Sequence, residues 1–296
     1  MDYILTTQDL TKMYGKVYAC KDINLHIKSG EIYGLIGRNG AGKTTIMRVI
    51  SGLSSATSGS YELHGENKHG VGVLIEAPGI YPNKSAKENI RLKCIALGCN
   101  DDKYIDDLLL TVGLENTGKK KAGSFSLGMR QRLGIAMALV GDPKMIVLDE
   151  PINGLDPQGI VEVRKTLEKL KEEKGITIMI SSHILDELSK LADTFGIIHE
   201  GKLIDEFNME ELQDRCGEYV FISTDNNEKT MELVTKMGYQ NVVIEDGYVK
   251  ISDDVENTVA ITKNLVTNNI GVKEIFIKST SLEDYYLSMT GGNHNG

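Results

Sequence analysis

The hydrophobic pattern changes period several times along the 296-residue chain. From 1 to 36, apolar and polar positions alternate in short runs, the period-2 signature of strands. Within that stretch, "INLHIKSGEIYGLIG" predicts two strands around a Ser-Gly turn. "KTTIMRVISG" (43–52) then has helical spacing and a stop at Gly52. In "GVGVLIEAPG" (70–79), Val71, Val73 and Ile75 predict one face of a short buried strand. An acid, Glu76, follows at once, and Pro78 ends any ladder. Residues 82–122 read as mostly helical: Ser85 with Glu88 fits a capping box, "DDKYIDDLLLTVGL" carries a second helix, and the lysine run at 119–121 is a solvated loop. "LGMRQRLGIAMALV" (127–140) is a further helix. "KMIVLDEP" and "ITIMISS" are continuous apolar runs on either side of the charged helix "PQGIVEVRKTLEKLKEEKG". Strands apolar at every position need cover on both faces, so this alternation predicts an α/β core with a parallel sheet.

The pattern shifts near 208–216, which divides the chain into 1–215 and 216–296. "EYVFIST", "EKTMELVTKMG", "NVVIEDGYVKIS", "NTVAITKNLVTNNI" and "VKEIFIK" predict β-α-β-β-α-β, the order of a small α+β, ferredoxin-like domain. Residues 215–296 hold 7 Lys and Arg against 12 Asp and Glu, a local net of −5. This stretch carries no recognisable chemistry, and the tail "GGNHNG" is expected to be disordered. The whole chain is 41% hydrophobic with 5 prolines, ample for a packed core. Its net charge of −9 makes a nucleic-acid surface an unexpected function. Cys20, Cys94, Cys99 and Cys216 have no CxxC spacing and read as reduced thiols. "MDYILTTQDL" lacks the basic and apolar regions of a signal peptide. No apolar run approaches the roughly 20 residues that span a bilayer, so any membrane association is expected through a partner.

The chemistry concentrates in two segments. "GRNGAGKT" (37–44) fits G-x-x-x-x-G-K-[ST] between a predicted strand and a predicted helix, which is the context that gives this pattern meaning. Gly37, Gly40 and Gly42 let the backbone curl so that successive N–H groups face phosphate oxygens. The helix that follows adds its positive end. Lys43 is placed to reach the β- and γ-phosphates and Thr44 to ligate Mg²⁺. In "MIVLDE" (145–150), a buried strand delivers two adjacent acids, which is costly unless something cationic sits there. Asp149 suits the Mg²⁺ shell and Glu150 suits polarising an attacking water. Strands do end in ordinary exposed acids, but phosphoryl transfer needs mainly placement and charge, and the phosphate loop supplies the other half.

"GRNGAGKTT", "FSLGMRQRLGIAMAL", "MIVLDEP", "NGLDP" and "ISSH" occur in the order and spacing of ATP-binding cassette ATPases, which residues 1–207 resemble. The resemblance implies a P-loop NTPase core with an antiparallel β subdomain and a helical subdomain at about 82–140. It implies ATP and Mg²⁺ as ligands, with Gly37, Arg38, Asn39, Gly40, Ala41, Gly42, Lys43, Thr44 and Thr45 forming the nucleotide cradle. His183 resembles the switch histidine that contacts the γ-phosphate. Asp156 resembles the aspartate that communicates between two cassettes, and Tyr14, with Tyr18 nearby, resembles the aromatic that stacks on adenine. The signature segment (125–129) departs from the usual Leu-Ser-Gly-Gly-Gln: Leu127 and Met129 replace a glycine and the glutamine, while Ser126 and Gly128 keep the groups that bind the partner's γ-phosphate. A single cassette lacks the opposing signature, so the resemblance implies a homodimer or a paired cassette, closed head to tail over two nucleotides. Glu76 stands where most of the family has a glutamine that touches Mg²⁺ or the lytic water, which would place it in the catalytic and metal sites. That glutamate, the helix after Ser126 and "SLEDYYLSMTGG" resemble the cassette subunits of bacterial lantibiotic and bacitracin exporters.

The expected function is therefore an ATPase subunit at the cytoplasmic side of the cell membrane, held by a separate integral membrane permease and not bound to nucleic acid. Three alternatives stay open: the ATPase of an importer or of another exporter, a soluble cassette acting on ribosomes or DNA, and a binding-only cassette. Ribosomal types carry two cassettes in one chain and DNA-repair types insert a long coiled coil, neither of which this sequence has. Lys43, Asp149, Glu150 and His183 speak against loss of catalysis.

Overall fold

The computed structural model describes residues 2–64, 70–98, 101–215, 218–253, 258–279 and 281–291. Cys99, Cys216 and the tail from 292, for which reduced thiols and disorder are expected, lie outside those residues. The chain divides into two compact units, Met1–Met209 and Glu210–Gly296.

The first unit opens with β1 (Tyr3–Tyr14), in which Leu5 and Leu10 are fully buried. It pairs antiparallel with β2 (Val17–Ile23) and β3 (His26–Lys28). The Ser29-Gly30 turn leads to β4 (Ile32–Ile36) as expected, but the two strands enter different sheets. β3 stays with β1, whereas all five residues of β4 are buried and need cover on both faces. Then come α1 (Lys43–Ile50), β5 (Ser58–Leu63) and β6 (Gly72–Leu74). β5 returns antiparallel to β1, with a register shift between Gln8 and Thr11 where Asp9 turns left-handed at φ 48°.

Around β6 the single buried face read from Val71, Val73 and Ile75 needs correction. Val71 and Ile75 lean half-buried on the main core, but Leu74, from the opposite face, is the residue sealed at 4% exposure. The strand is covered on both sides because a helical layer lies across it. That layer is α2 (Ala86–Ala96), α3 (Asp102–Thr111) and α4 (Leu127–Ala138). Leu74 meets it at Gly134, where an added Cβ would stand 3.0 Å from the leucine side chain. The Ser85–Glu88 capping box is present: Glu88 N–H donates to Ser85 Oγ (3.2 Å) and Ser85 N–H to Glu88 Oε2 (2.7 Å).

The rest of the unit is β7 (Met145–Asp149), α5 (Pro157–Lys174), β8 (Thr177–Ser182), α6 (Leu185–Ser189), β9 (Thr194–His199) and β10 (Lys202–Asn208). The central sheet runs β10-β9-β4-β8-β7-β6, parallel except for β10. β4, β7 and β8 are buried at every position, matching their uninterrupted apolar runs. Their carboxyl ends lie side by side, which is where open parallel sheets bind ligands.

The helix α7 (Met209–Arg215) starts at the unit boundary. The second unit continues as β11 (Glu218–Thr224), α8 (Asn227–Lys236), β12 (Val242–Glu245), β13 (Tyr248–Ile251), α9 (Thr258–Thr267), β14 (Val272–Ser279) and α10 (Leu282–Met289). Its sheet is antiparallel in the order β12-β13-β11-β14, the ferredoxin-like arrangement. Val220, Ile222, Val249 and Ile251 form one face of that sheet and pack with Val234 of α8 and with Ile261 and Leu265 of α9. The ladder has period 2, so the neighbouring residues face the other way.

Candidate nucleotide site

The loop from Gly37 to Gly42 joins β4 to α1 at the carboxyl edge of the central sheet. Gly42 caps α1 at φ 111°, and a Cβ there would stand 2.5 Å from the Ala19 carbonyl oxygen. Only glycine can take both that conformation and that approach. A cavity of 180 Å³ opens over the loop, lined by Ala19, Arg38, Asn39, Gly40, Gly42, Lys43, Thr44, Thr45 and Glu150. All but Ala19 and Glu150 come from one contiguous turn, as the motif predicts.

Lys43 is 4% exposed, an unusual place for an ammonium group. Its Nζ donates to the carbonyls of Gly37 (2.6 Å) and Arg38 (3.4 Å) and lies 3.3 Å from Glu150 Oε1. That last contact has ion-pair distance but not hydrogen-bond direction, so Glu150 Oε1 is buried without a donor among the described residues. Glu150 Oε2 is 2.7 Å from His183 Nδ1. Thr44 Oγ1 donates to Asp149 Oδ2 (2.7 Å), and Ser181 Oγ donates to Asp149 Oδ1 (2.6 Å) while accepting from Glu150 N–H (2.9 Å). One lysine, two acids, a histidine and two hydroxyls thus converge from β7, β8 and α1. Sequence reasoning missed Ser181, although the serine pair before His183 was the available signal. It also missed Ala19, which contributes backbone and has no signature.

The residues present fit a magnesium nucleotide. Glu150, whose Oε1 is orphaned, lines the same cavity as Lys43 and Thr44. Thr44 and Asp149, hydrogen-bonded at 2.7 Å, are oxygen donors of the kind that suits a hard cation which takes one or two protein ligands and completes its shell with phosphate and water.

Other expected site residues fall elsewhere. Glu76 holds a left-handed backbone (φ 65°) and its carboxylate pairs with Arg48 of α1 instead of approaching Asp149 or Glu150. Tyr14 and Tyr18 are 51% and 49% exposed, lie beneath the ammonium groups of Lys12 and Lys21, and neither lines the cavity. Ser126 caps α4, accepting from Met129 N–H (3.2 Å), and Asp156 caps α5, accepting from Gly159 N–H (3.1 Å). Gly128 lets α4 close on α5: a Cβ there would be 3.4 Å from the Gly159 Cα. The two helix starts are therefore built together, and Leu127 between them reaches to 3.5 Å from the Cβ position of Gly154.

Comparison with known proteins places this geometry. The family described as ABC transporter matches residues 20–153. The chain is 41% identical over 306 residues to the bacitracin transport ATP-binding protein BcrA of Bacillus licheniformis, covering all of both chains. It is 47% identical over 220 residues to the lantibiotic transport ATP-binding protein SrtF of Streptococcus pyogenes, covering 71% of this chain and 95% of the relative. Among solved structures, cbiO1 of Clostridium perfringens, part of the ABC transporter complex cbiONQ, superposes with a TM-score of 0.66 at 30% identity, covering 72% of this chain and 92% of that one. A dimeric cassette in a post-hydrolysis state with ADP and Pi gives 0.61 at 25% identity, covering 69% and 98%. Phosphate loop, acid pair and histidine on a parallel sheet, with full-length likeness of this order, show that the chain belongs to the ABC transporter family, as an ATP-hydrolysing nucleotide-binding subunit.

Proposed function

We propose that this chain powers the export of bacitracin- or lantibiotic-type antimicrobial peptides through a separate membrane permease, and so gives resistance to them. The observation that carries this reading is the likeness to a bacitracin transport subunit along the whole chain, second unit included. In the proposed cycle, Lys43 binds the β- and γ-phosphates and the loop N–H groups orient them. Thr44 and Asp149 are the residues to hold Mg²⁺, which when bound neutralises phosphate charge. Glu150 takes the proton from the attacking water, and His183, 2.7 Å away, orients the Glu150 carboxylate and reaches the γ-phosphate. Ser126 and Gly128, at the start of α4, offer a helix N-terminus to the nucleotide of a second cassette. Asp156 sits beside them at the start of α5.

Among the described residues no helix is long and apolar enough to cross a membrane, so the permease is the proposed link to the bilayer, on its cytoplasmic side. A cavity of 340 Å³ between the β6–Pro78 segment and helices α2 and α4 supports a docking role there, lined by Val73, Tyr81, Leu92 and Met137 among others. Its lining flanks Glu76 on both sides, at Val73, Leu74 and Pro78, and Glu76 is tied to Arg48 of α1, the helix that follows the phosphate loop.

The test is a Glu150→Gln variant. The amide keeps the shape but is a poor proton acceptor, and loss of a catalytic base commonly costs about 10²–10⁴-fold. We expect purified Glu150→Gln to form a stable dimer with Mg-ATP on size-exclusion chromatography. Cells carrying it with the native permease should become as sensitive to bacitracin-type and lantibiotic peptides as cells lacking the chain. Unchanged ATP turnover would remove Glu150 from catalysis. Unchanged sensitivity in a turnover-dead strain would assign the pump another cargo.

A further inference from the structure

The cycle above leaves one sealed hydroxyl without a role. β8 is buried at all six positions, and its apolar run gives way to two serines just before His183. Ser181 and Ser182 are both 0% exposed. A buried hydroxyl is costly unless it is bonded, and a β-branched apolar residue would fit the strand at least as well. Successive strand residues point to opposite faces, so the two serines have different neighbours. Ser182 Oγ accepts from Ile184 N–H at 2.9 Å and shapes the turn that carries His183. Ser181 reaches across to β7, where it stands in register with Asp149.

Its single oxygen meets both acids. Ser181 Oγ donates to Asp149 Oδ1 at 2.6 Å and accepts from Glu150 N–H at 2.9 Å. The partners fix this direction: an amide N–H can only donate and an ionised carboxylate can only accept. Thr44 Oγ1 donates to Asp149 Oδ2 at 2.7 Å, so a carboxylate that is 6% exposed is held at both oxygens. In a continued strand, Asp149 and Glu150 would face opposite ways. Instead β7 ends at Asp149, and Glu150 turns left-handed at φ 50°. A non-glycine residue keeps that conformation only where its surroundings hold it. The bond from Ser181 falls on the N–H at the pivot of that turn. Beyond the pivot the Glu150 carboxylate stands 3.3 Å from Lys43 Nζ and 2.7 Å from His183 Nδ1. Deleting one hydroxyl therefore leaves Asp149 Oδ1 and the Glu150 N–H without this partner at the same time.

We propose that Ser181 is a positioning residue for ATP hydrolysis, whose hydroxyl sets the Asp149 carboxylate and the backbone turn of Glu150 as one unit. The inference rests on the reading of Glu150 as the proton acceptor. Ser181 is not in the lining of the nucleotide cavity, so it acts through the two acids and not on the nucleotide. Its loss should fall on the chemical step, while Lys43 and the loop N–H groups continue to bind phosphate. Removing an outer partner that orients a metal-holding side chain commonly costs about 10–100-fold, and misplacing a catalytic group acts in the same direction.

The experiment compares three substitutions in the full chain. Ser181→Ala deletes the hydroxyl, Ser181→Cys nearly keeps the size but bonds weakly through sulfur, and Ser181→Thr keeps the hydroxyl and adds a methyl. At saturating Mg²⁺, kcat should fall about 10–100-fold in Ser181→Ala and at least about fivefold in Ser181→Cys, and stay within about threefold of the parent in Ser181→Thr. KM for ATP should stay within about threefold in all three, because uniform binding is untouched. Ser181→Ala and Ser181→Cys should also accumulate an ATP-held dimer on size-exclusion chromatography, which a chain too damaged to bind nucleotide would not form. A packing role ranks the variants the other way, with cysteine near the parent and threonine slower, and that order overturns the proposal. A KM that rises with kcat unchanged also overturns it. If Ser181→Ala proves unfolded by circular dichroism, the order of cysteine and threonine decides. Glu150→Gln, run alongside, separates the two readings. Parental turnover in Glu150→Gln removes the proton acceptor and the role of Ser181 with it. An inactive Glu150→Gln beside a fully active Ser181→Ala overturns the positioning role alone.

Discussion

Glu76 and Glu150 both hold left-handed backbone, at φ 65° and 50°, a conformation that costs a non-glycine residue free energy and gathers at functional sites. Their side chains meet opposite fates. Glu150 is half-buried between Lys43 and His183, whereas Glu76 is 65% exposed and tied to Arg48. An exposed pair of that kind contributes little to stability, about 0–1 kcal/mol. Glu76→Gln keeps the volume and weakens only an exposed pair with Arg48, outside the lining of the nucleotide cavity. Turnover should therefore change less than about tenfold, under ~1.4 kcal/mol in the barrier. Glu76→Ala should be worse, and worst in resistance of cells that carry the permease, because the segment leads into the helical layer. ATPase rates and resistance, measured side by side, check this. Loss of turnover as complete as in Glu150→Gln would make Glu76 a primary catalytic group.

At the scale of elements, helix starts do most of the placing. Ser85, Ser126 and Asp156 each cap a helix with a side-chain oxygen, and two of those helices, α4 and α5, present the cassette's signature and loop residues. Such caps contribute about 1 kcal/mol each, so they fix where a helix begins as well as whether it forms. The capping box at α2 also carries a pH signature. The Ser85 backbone N–H, followed by its hydroxyl, lowers the Glu88 carboxyl from its ordinary 4.5 to about 2. Folding thus favours the ionised form. The contribution is complete above about pH 4.5 and is lost as the pH falls through about 2. Glu88→Gln keeps a capping group without the titration, so its urea midpoint, followed by circular dichroism, should fall less than the parental one between pH 5 and about 2.5. Parallel curves would show that the box does not act on acid stability.

For the whole molecule, the division at 209/210 bears on function. Every side chain converging on the nucleotide cavity precedes that boundary. Ending the chain after Met209 should leave Mg-ATP affinity within about threefold of the parent, a change of less than ~1 kcal/mol by calorimetry. Complete loss of nucleotide binding by a folded truncated chain would mean that the second unit completes the site.

By itself, the sequence determined the elements whose cause is local. The apolar runs of β4, β7 and β8, the capping box at Ser85 and the glycine loop before Lys43 are properties of neighbours along the chain, so they were legible without coordinates. The β-α-β-β-α-β order of the second unit was legible for the same reason. Tertiary structure alone decided what depends on partners distant in sequence. It put β3 and β4 into different sheets, covered β6 on both faces, and brought Ser181 to Asp149 from 32 residues away. It gave Glu76 to Arg48, and it stacked Phe221 of β11 on Phe276 of β14. Local periodicity reports which face of an element is apolar; only strand order and register decide what that face meets.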